Sequence, residues 1–578
     1  MRSDQSVSWR AATMKRIIFI LLFPCSMVFG QSTNAPLDRD YNHLIERMEI
    51  MSGTFTPGFH TVYKAYPRKA IAEFMDSLQN SNLNFSTQDK FNISYLENDN
   101  WEWAEDPDNT SSKVFLKNFY KVKSDLWQFK NKDFDFHINP ILYVGAGYES
   151  ESDITPLMNT RGLEIRGTID GKVGFYSFLT DNQITMPYYV RDFIKKRGAI
   201  PHEGFFKKFK ENGVDFFTAR GYISFQISKH INAQFGHDRF FIGNGYRSMI
   251  LSDFSAPYLF LKFNTRVGRF KYTNLFTQMK ADARGRLGGS PSGNDYPVKY
   301  VVLHHLSINV AKNFNFGLFE SIAYGREDST GSNHFDINYL NPIIFYRAIE
   351  QQNGSQDNVT IGGDFRWNIA SKFSLYGQFV LDEFKLNEIK AGDGWWANKY
   401  AFQLGGKYIN VFNVSNLDLL LEYNYARPYI YSHTSVYGNS HIYTNFGNYL
   451  QEISHPLGAN FNEVIAEVRY QPFSKFTFTL RGIFADKGED DTDTNWGGNI
   501  FKDNQTKEQV YGNVTGQGVS TSLALIDFTA TFHLKHNAFF DAKFIYRKKD
   551  SADDARDQQT NFINFAFRWN INQRLHDF

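Results

Sequence analysis

From Phe134 onward the chain alternates apolar and polar positions with a period of two, the mark of strands whose two faces meet different surroundings. Ile223, Phe225 and Ile227 alternate with Ser224, Gln226 and Ser228, and Phe476, Phe478 and Leu480 with Thr477, Thr479 and Arg481. The stretch from Tyr300 to Tyr324 shows the unit. Val302, His304, Leu306 and Ile308 share one parity, Lys312-Asn313 make a tight turn, and Phe314, Phe316, Leu318, Ile322 and Tyr324 continue beyond it. A lone hairpin is marginal in water, so such a unit needs neighbours. Eighteen candidate strands begin near residues 134, 163, 173, 221, 231, 258, 271, 300, 314, 361, 374, 401, 417, 463, 476, 524, 538 and 562.

The connections decide what the strands build. Short turns recur at Asp170-Gly171, Lys229-His230, Gly268-Arg269, Lys312-Asn313, Ser371-Lys372, Asn413 to Asn416, Phe473 to Lys475 and His536-Asn537. Long polar connections fall between them, at 181–220, 280–298, 325–360, 427–462 and 486–523 among others. A sandwich also alternates, but it has no reason to put every short turn at one end and every long loop at the other. The pattern predicts an all-β transmembrane barrel of about 18 antiparallel strands, closed so that no sheet edge faces lipid. Two residues resist the scheme. Glu320 shares the row of Phe316, Leu318 and Ile322, where a carboxylate facing lipid is costly; a bulge or a place near the outer interface would relieve it. Phe578 is out of register with the last row, Ile563, Phe565, Phe567, Trp569 and Ile571.

Residues 31–130 read differently, as a small mainly helical periplasmic region or plug. Arg68 to Leu78 has helical spacing behind Pro67, and Ser86 with Asp89 resembles a capping box. Residues 1–30 read as a signal peptide, with translation starting at Met14 and an apolar core from Ile17 to Phe23. The only cysteine, Cys25, lies there, so the mature chain offers no disulfide or thiolate metal site. Residues 131–578 form the barrel, with long extracellular loops. Beyond the N-terminus no apolar run reaches the ~20 residues of a membrane helix, although 57 Phe and 32 Tyr are used. Lys plus Arg (62) and Asp plus Glu (61) nearly cancel, so no global field points to nucleic acid.

Function in such a barrel belongs to its lumen and long loops. The segment 236–257, GHDRFFIGNGYRSMILSDFSAP, sets Asp238, Arg239, Tyr246, Arg247 and Asp253 among glycines, groups that can bond hydroxyls or acidic sugars unless they only pair with one another. A second candidate joins Arg427, Tyr429, Tyr431 and His433 with His455 and Asn460, rings and polar groups that suit a glycan or, alternatively, an interfacial girdle and loop packing. His304 and His305 are adjacent and face opposite ways in a strand, and Ser432-His433 point apart, so neither a metal site nor a nucleophile with its base is expected. No catalytic residue and no cofactor are expected.

Gly243-Asn244-Gly245-Tyr246-Arg247-Ser248, followed by Leu251-Ser252-Asp253 and Ala256-Pro257, resembles the Wzi-like capsule assembly family of outer-membrane proteins, and within it the RemB branch of gliding-motility proteins of Bacteroidota. The likeness continues through Tyr339-Leu340-Asn341-Pro342, Asp357-Asn358, Leu381-Asp382-Glu383-Phe384, Arg427-Pro428-Tyr429 and His455-Pro456-Leu457-Gly458-Ala459-Asn460, and reaches His60, Lys64 and Arg68-Lys69. The resemblance implies an 18-stranded barrel with helices at its periplasmic base, and a lectin-like hold on surface polysaccharide that supports gliding. Surface polysaccharide, outer-membrane lipid and other gliding or cell-envelope proteins are the partners it implies. A solute channel and an envelope scaffold are the rival expectations.

Overall fold

The computed structural model describes residues 31–578 apart from 106, 112–117, 151, 282–296, 327–332, 343–344, 356 and 435–442. The expected signal peptide, with Met14 and Cys25, lies outside the described residues. Eighteen antiparallel strands close into a barrel. They are β1 (Phe134–Glu149), β2 (Leu157–Ile169), β3 (Val173–Thr185), β4 (Gly213–Gln226), β5 (Ile231–Asp238) and β6 (Tyr258–Val267). Then follow β7 (Phe270–Lys280), β8 (Val298–Ala311), β9 (Phe314–Tyr324), β10 (Asn358–Ile369), β11 (Phe373–Leu381) and β12 (Tyr400–Tyr408). The set ends with β13 (Leu417–Ala426), β14 (Phe461–Phe473), β15 (Phe476–Glu489), β16 (Val519–Lys535), β17 (Ala538–Ser551) and β18 (Gln558–Trp569). At the seam, β18 pairs with β1 from Trp569↔Leu142 to Phe562↔Glu149, while the rest of β1 takes the short strand Trp127–Lys130.

Strand starts that follow a short turn fall within one residue of expectation: 173, 231, 270, 314, 373, 417, 476 and 538. Several that follow a long loop start earlier, at 157, 213 and 519 rather than 163, 221 and 524. The physical reason is that a tight turn fixes its flanking residues, here through left-handed positions such as Asp170 (φ 52°) and Asn537 (φ 52°). Above the apolar belt both strand faces are wet, so the period-two pattern fades although the ladder continues.

One face of each strand stays exposed and apolar, as at Leu318, Trp367, Leu404, Val464, Leu480, Phe528 and Phe565. The other face is buried and polar, as at Ser307, Asn315, Asp364, Arg366, Ser374 and Gln378. Tyr400, Phe402 and Tyr425 stack at ring distances of 5.1 to 5.9 Å near the loop ends of β12 and β13. No described helix is long and apolar enough to cross a membrane.

Glu320 does lie in the outward row, paired with His304 across β8 and β9. It is nevertheless buried, and neither a bulge nor a rim position accounts for this. The connection after β9 folds back over the outside of the wall. Its short helix Tyr346–Asn353 caps the pair: the Arg347 N–H donates to the Glu320 carboxylate at 3.2 Å, and Tyr346 hydrogen-bonds His304. Tyr300, Val302, Ile322 and Tyr324 are buried beneath the same connection with Tyr339. The carboxylate is shielded from lipid by protein.

Helices α1 (Arg39–Ser52), α2 (Arg68–Gln79) and α3 (Thr87–Asp99) pack inside the turn end of the barrel. α2 and α3 sit where their spacing places them, and Ser86 and Asp89 form a reciprocal capping box. α1 was not expected, although Asp38 caps its N-terminus and Gly53 (φ 69°) ends it. Ion pairs and hydrogen bonds dock it, including Glu49–Arg366 at 2.7 Å and Arg47 with Asp418. Also unexpected is α4 (Tyr188–Arg197), within the connection after β3.

Candidate functional site

Inward-folded connections and the 570–578 segment fill the lumen. The connection from Arg239 to Pro257 turns inward at the end of β5, and its Met249, Ile250 and Leu251 pack with inward residues such as Val301, Leu303, Phe319 and Phe461. Its strand Phe241–Ile242 pairs with Tyr63–Lys64 of the N-terminal region, joining the helices to the loop. After β18, residues 570–578 turn back into the barrel. Phe578 is buried against Tyr189, Phe193 and Phe254 rather than facing lipid, which is why it breaks the outward register. The Tyr189 hydroxyl donates to the His576 carbonyl at 2.7 Å.

The first sequence candidate divides into two parts. Tyr246 and Arg247 are buried in a clamp on the 570–578 segment. The Arg247 guanidinium lies 3.3 Å from the Asp577 carboxylate and 3.2 Å from Glu463, the Tyr246 hydroxyl donates to Asp577, and Arg39 stacks 3.9 Å from the Tyr246 ring. Burial alone would raise the Asp577 carboxyl, but Arg247 and Arg39 outweigh it and hold it well below the usual carboxylate range. Gly245 is needed here, because a Cβ would meet Glu422 and Gln403. Asp238, Arg239 and Asp253 instead line a lumenal cavity of ≈ 270 Å³ between α1, the wall and the 570–578 segment.

The second candidate is brought against the first. The Tyr431 hydroxyl donates to the Met249 carbonyl at 2.7 Å, and the Tyr431 N–H to Asp382 at 3.0 Å. His455 stacks on Phe461 and lies 2.8 Å from Glu463, the carboxylate that also holds Arg247. Tyr429 donates to the Asn495 carbonyl at 2.8 Å, and Asn460 (φ 62°) donates to the Gln517 carbonyl at 2.8 Å, both bracing the connection between β15 and β16. Arg427 donates to the Asn513 carbonyl of the same connection at 3.1 Å. His433 sits 3.7 Å from Glu383, and burial with the Lys399 charge pushes its pKa down to about 4. Tyr429, Tyr431, His455 and Asn460 present almost no free surface.

Sequence reading missed the cavity's other residues: Arg220 on β4, Gln234 on β5, His202 after α4, and Arg574 and His576 in the last segment. Their signal was weak. Arg220 and Gln234 were visible only as inward positions, and no pattern marks 570–578 as lumenal. At the turn end Glu102, Asp135 and His137 come close enough to suggest a metal. The geometry fits a salt network better: Arg166 bonds Glu102, and the His137 nitrogens reach Asp125 at 2.9 Å and Asp135 at 3.0 Å.

A closed, eighteen-stranded antiparallel barrel with an apolar belt and long connections at one end has the fold of bacterial outer-membrane proteins. No protein-family model and no curated protein matches the chain. Among solved structures, it is similar to Wzi of Escherichia coli, described as a carbohydrate-binding β-barrel involved in group 1 capsule assembly. That likeness has a TM-score of 0.55 and 12% identity and covers 94% of this chain and 100% of Wzi. OprD of Pseudomonas aeruginosa also matches, with a TM-score of 0.40 and 12% identity over 75% of this chain and 94% of that one.

Proposed function

We propose that the chain is a non-enzymatic outer-membrane protein that binds surface polysaccharide, with its long connections outside the cell and α1–α3 on the periplasmic side. The observation that carries this reading is the filled lumen. Inward-folded loop and 570–578 segment pack together and leave a cavity lined by fixed polar groups and aromatic rings, the make-up of a binding site rather than a conduit. The likeness to a carbohydrate-binding barrel supports it. In a gliding cell, polysaccharide held at the surface would serve adhesion during movement, which is the motility role the motif resemblance suggests.

The test is a pair of measurements on the purified protein. Binding of isolated surface polysaccharide, by surface plasmon resonance on protein in lipid nanodiscs, is expected to be saturable, and planar bilayers holding the protein are expected to carry no large steady current. Absent binding together with a steady conductance would replace this reading with a solute channel.

A further inference from the structure

The lumenal arginines are paired almost everywhere. Arg366 meets Glu49 at 2.7 Å, Arg68 meets Asp99 at 2.8 Å, and Arg481 lies 2.7 Å from Glu467 and 3.2 Å from Asp527. The end of the cavity near β4 and β5 departs from this. Arg239 and Arg574 have no carboxylate within 4.0 Å among the described residues, and Arg220 has only Asp238, at 3.8 Å. Arg239 donates to the His202 carbonyl at 3.0 Å and Arg574 to the Asn182 side chain, yet the Nε of Arg220, Arg239 and Arg574 are all buried without a partner. His576 is 9% exposed and neither ring nitrogen has a partner. Gln234 is 4% exposed, and its Oε1 accepts nothing.

Half-buried, under-compensated guanidiniums are costly, and so are orphaned donors and acceptors. Arg239 and Arg574, two such cations on one cavity with no carboxylate within 4.0 Å among the described residues, call for an anion, and Arg220, compensated by Asp238 at 3.8 Å, stands beside them. The wall beside them is flat: the Tyr176 and Tyr222 rings stack at 5.5 Å and 26° between planes, and Arg220 lies over the Phe178 ring at 4.3 Å. Burial and the charges of Arg239 and Arg220 push Arg574 below the ordinary arginine pKa, although Glu203 acts in the opposite sense.

We propose that this end of the cavity is an oxyanion site, in which Arg220, Arg239 and Arg574 hold the carboxylate of a sugar acid, or a phosphate of comparable size, while Gln234 Oε1 accepts from an adjacent hydroxyl. It deepens the polysaccharide-binding reading and rests on it for the sugar alone. The carboxylate takes the guanidinium edges in bidentate fashion, and the tyrosine faces supply a platform for a ring.

The experiment is calorimetric titration of the full chain in detergent with D-glucuronate, D-glucose and inorganic phosphate. Glucuronate is expected to bind, more weakly as salt rises, and glucose at least tenfold more weakly. Arg239→Gln with Arg574→Gln is expected to weaken glucuronate at least tenfold, and Lys195→Gln, on the exposed face of α4, to leave it unchanged. Heat-modifiable migration on gels checks that each variant is folded. If the double variant does not fold, competition between glucuronate and phosphate on the unaltered protein decides. Phosphate binding alone assigns the site to the free ion. Equal binding of glucose and glucuronate, no binding of either anion, or undiminished binding by the folded double variant overturns the proposal. Polysaccharide bound without small anions overturns this inference and spares the wider reading, whereas small anions bound without polysaccharide do the reverse.

Discussion

Replacing Arg247 with Met removes the cation that two buried carboxylates share. Arg247 lies 3.2 Å from Glu463 and 3.3 Å from Asp577, and it also donates to the Asp577 carbonyl. Glu463 would keep His455 at 2.8 Å and the Asn424 amide at 2.9 Å, and Asp577 would keep Arg39 at 3.6 Å and the Tyr246 hydroxyl. Breaking a buried pair costs about 3–5 kcal/mol, and the surviving partners place this case near about 3 kcal/mol. The loss falls where Asp577 can escape into water, so residues 570–578 should open locally while the barrel ladder stays intact. At ~1.4 kcal/mol per tenfold, the opening equilibrium rises about a hundredfold. Amide hydrogen exchange of 570–578 in detergent-solubilised protein reads this directly, with β16 and β17 as internal references. Arg247→Lys should recover only part, since an ammonium cannot reach both carboxylates in a fork. Exchange in 570–578 within about threefold of the unaltered protein would show that the clamp does not hold this segment.

Three further outcomes follow from the same geometry. Tyr346→Ala should uncover the outward His304–Glu320 pair and cost about 2 kcal/mol in bilayer unfolding titrations, with Glu320→Leu in the same chain restoring most of it. His433 is held neutral by burial down to a pKa of about 4, so its contribution is fully present above its unfolded value of 6.5 and is lost as pH falls from there toward about 4. Unfolding midpoints taken from pH 7 to pH 4 should therefore decline, and His433→Gln should flatten that slope. Deleting 570–578 should leave planar-bilayer current small, because Met249, Ile250 and Leu251 still fill the lumen. Deleting 244–254 and α1–α3 as well should open a steady conductance, and a large current from the first deletion alone would show that the remaining filling does not seal.

The barrel was legible because lipid and lumen impose opposite demands on alternate residues, and because tight turns restrict which residues can occupy them. Strand number, order and the turn-side boundaries all followed from those two constraints. What was not legible arises where one of them lapses. Above the belt the alternation fades, and strands such as β16 run several residues beyond their visible pattern. α1 and α4 end at the left-handed glycines Gly53 and Gly198, but their few apolar residues are interleaved with charged ones such as Arg47 and Arg191, which pair with Asp418 and Glu149, so no clear apolar stripe shows in the sequence. Glu320 was the instructive residue. Its parity gave the correct outward face, and the cost argument identified it as anomalous, but the remedy lay in a connection folded over the wall, which no local pattern encodes.

The candidate site separates in the same way. The glycine-rich segment around Tyr246 and Arg247 announced itself by composition, and the structure uses those residues to fix the lumen's filling through Glu463 and Asp577. Groups with unmet hydrogen-bonding capacity also occur where no motif marks them. Arg220 and Gln234 come from the alternating rows of two ordinary strands, and Arg574 and His576 from a segment that ends no motif. A motif concentrates residues that must cooperate locally, and such residues tend to satisfy one another. A ligand site requires groups that fail to do so, and those meet only when strands distant in sequence close into a barrel. Arg574 and the loop's own Arg239, which meet no carboxylate within 4.0 Å among the described residues, are therefore better evidence for a bound anion than the paired Arg247 clamp, and the titration with sugar acid and neutral sugar puts that argument at risk on the residues that carry it.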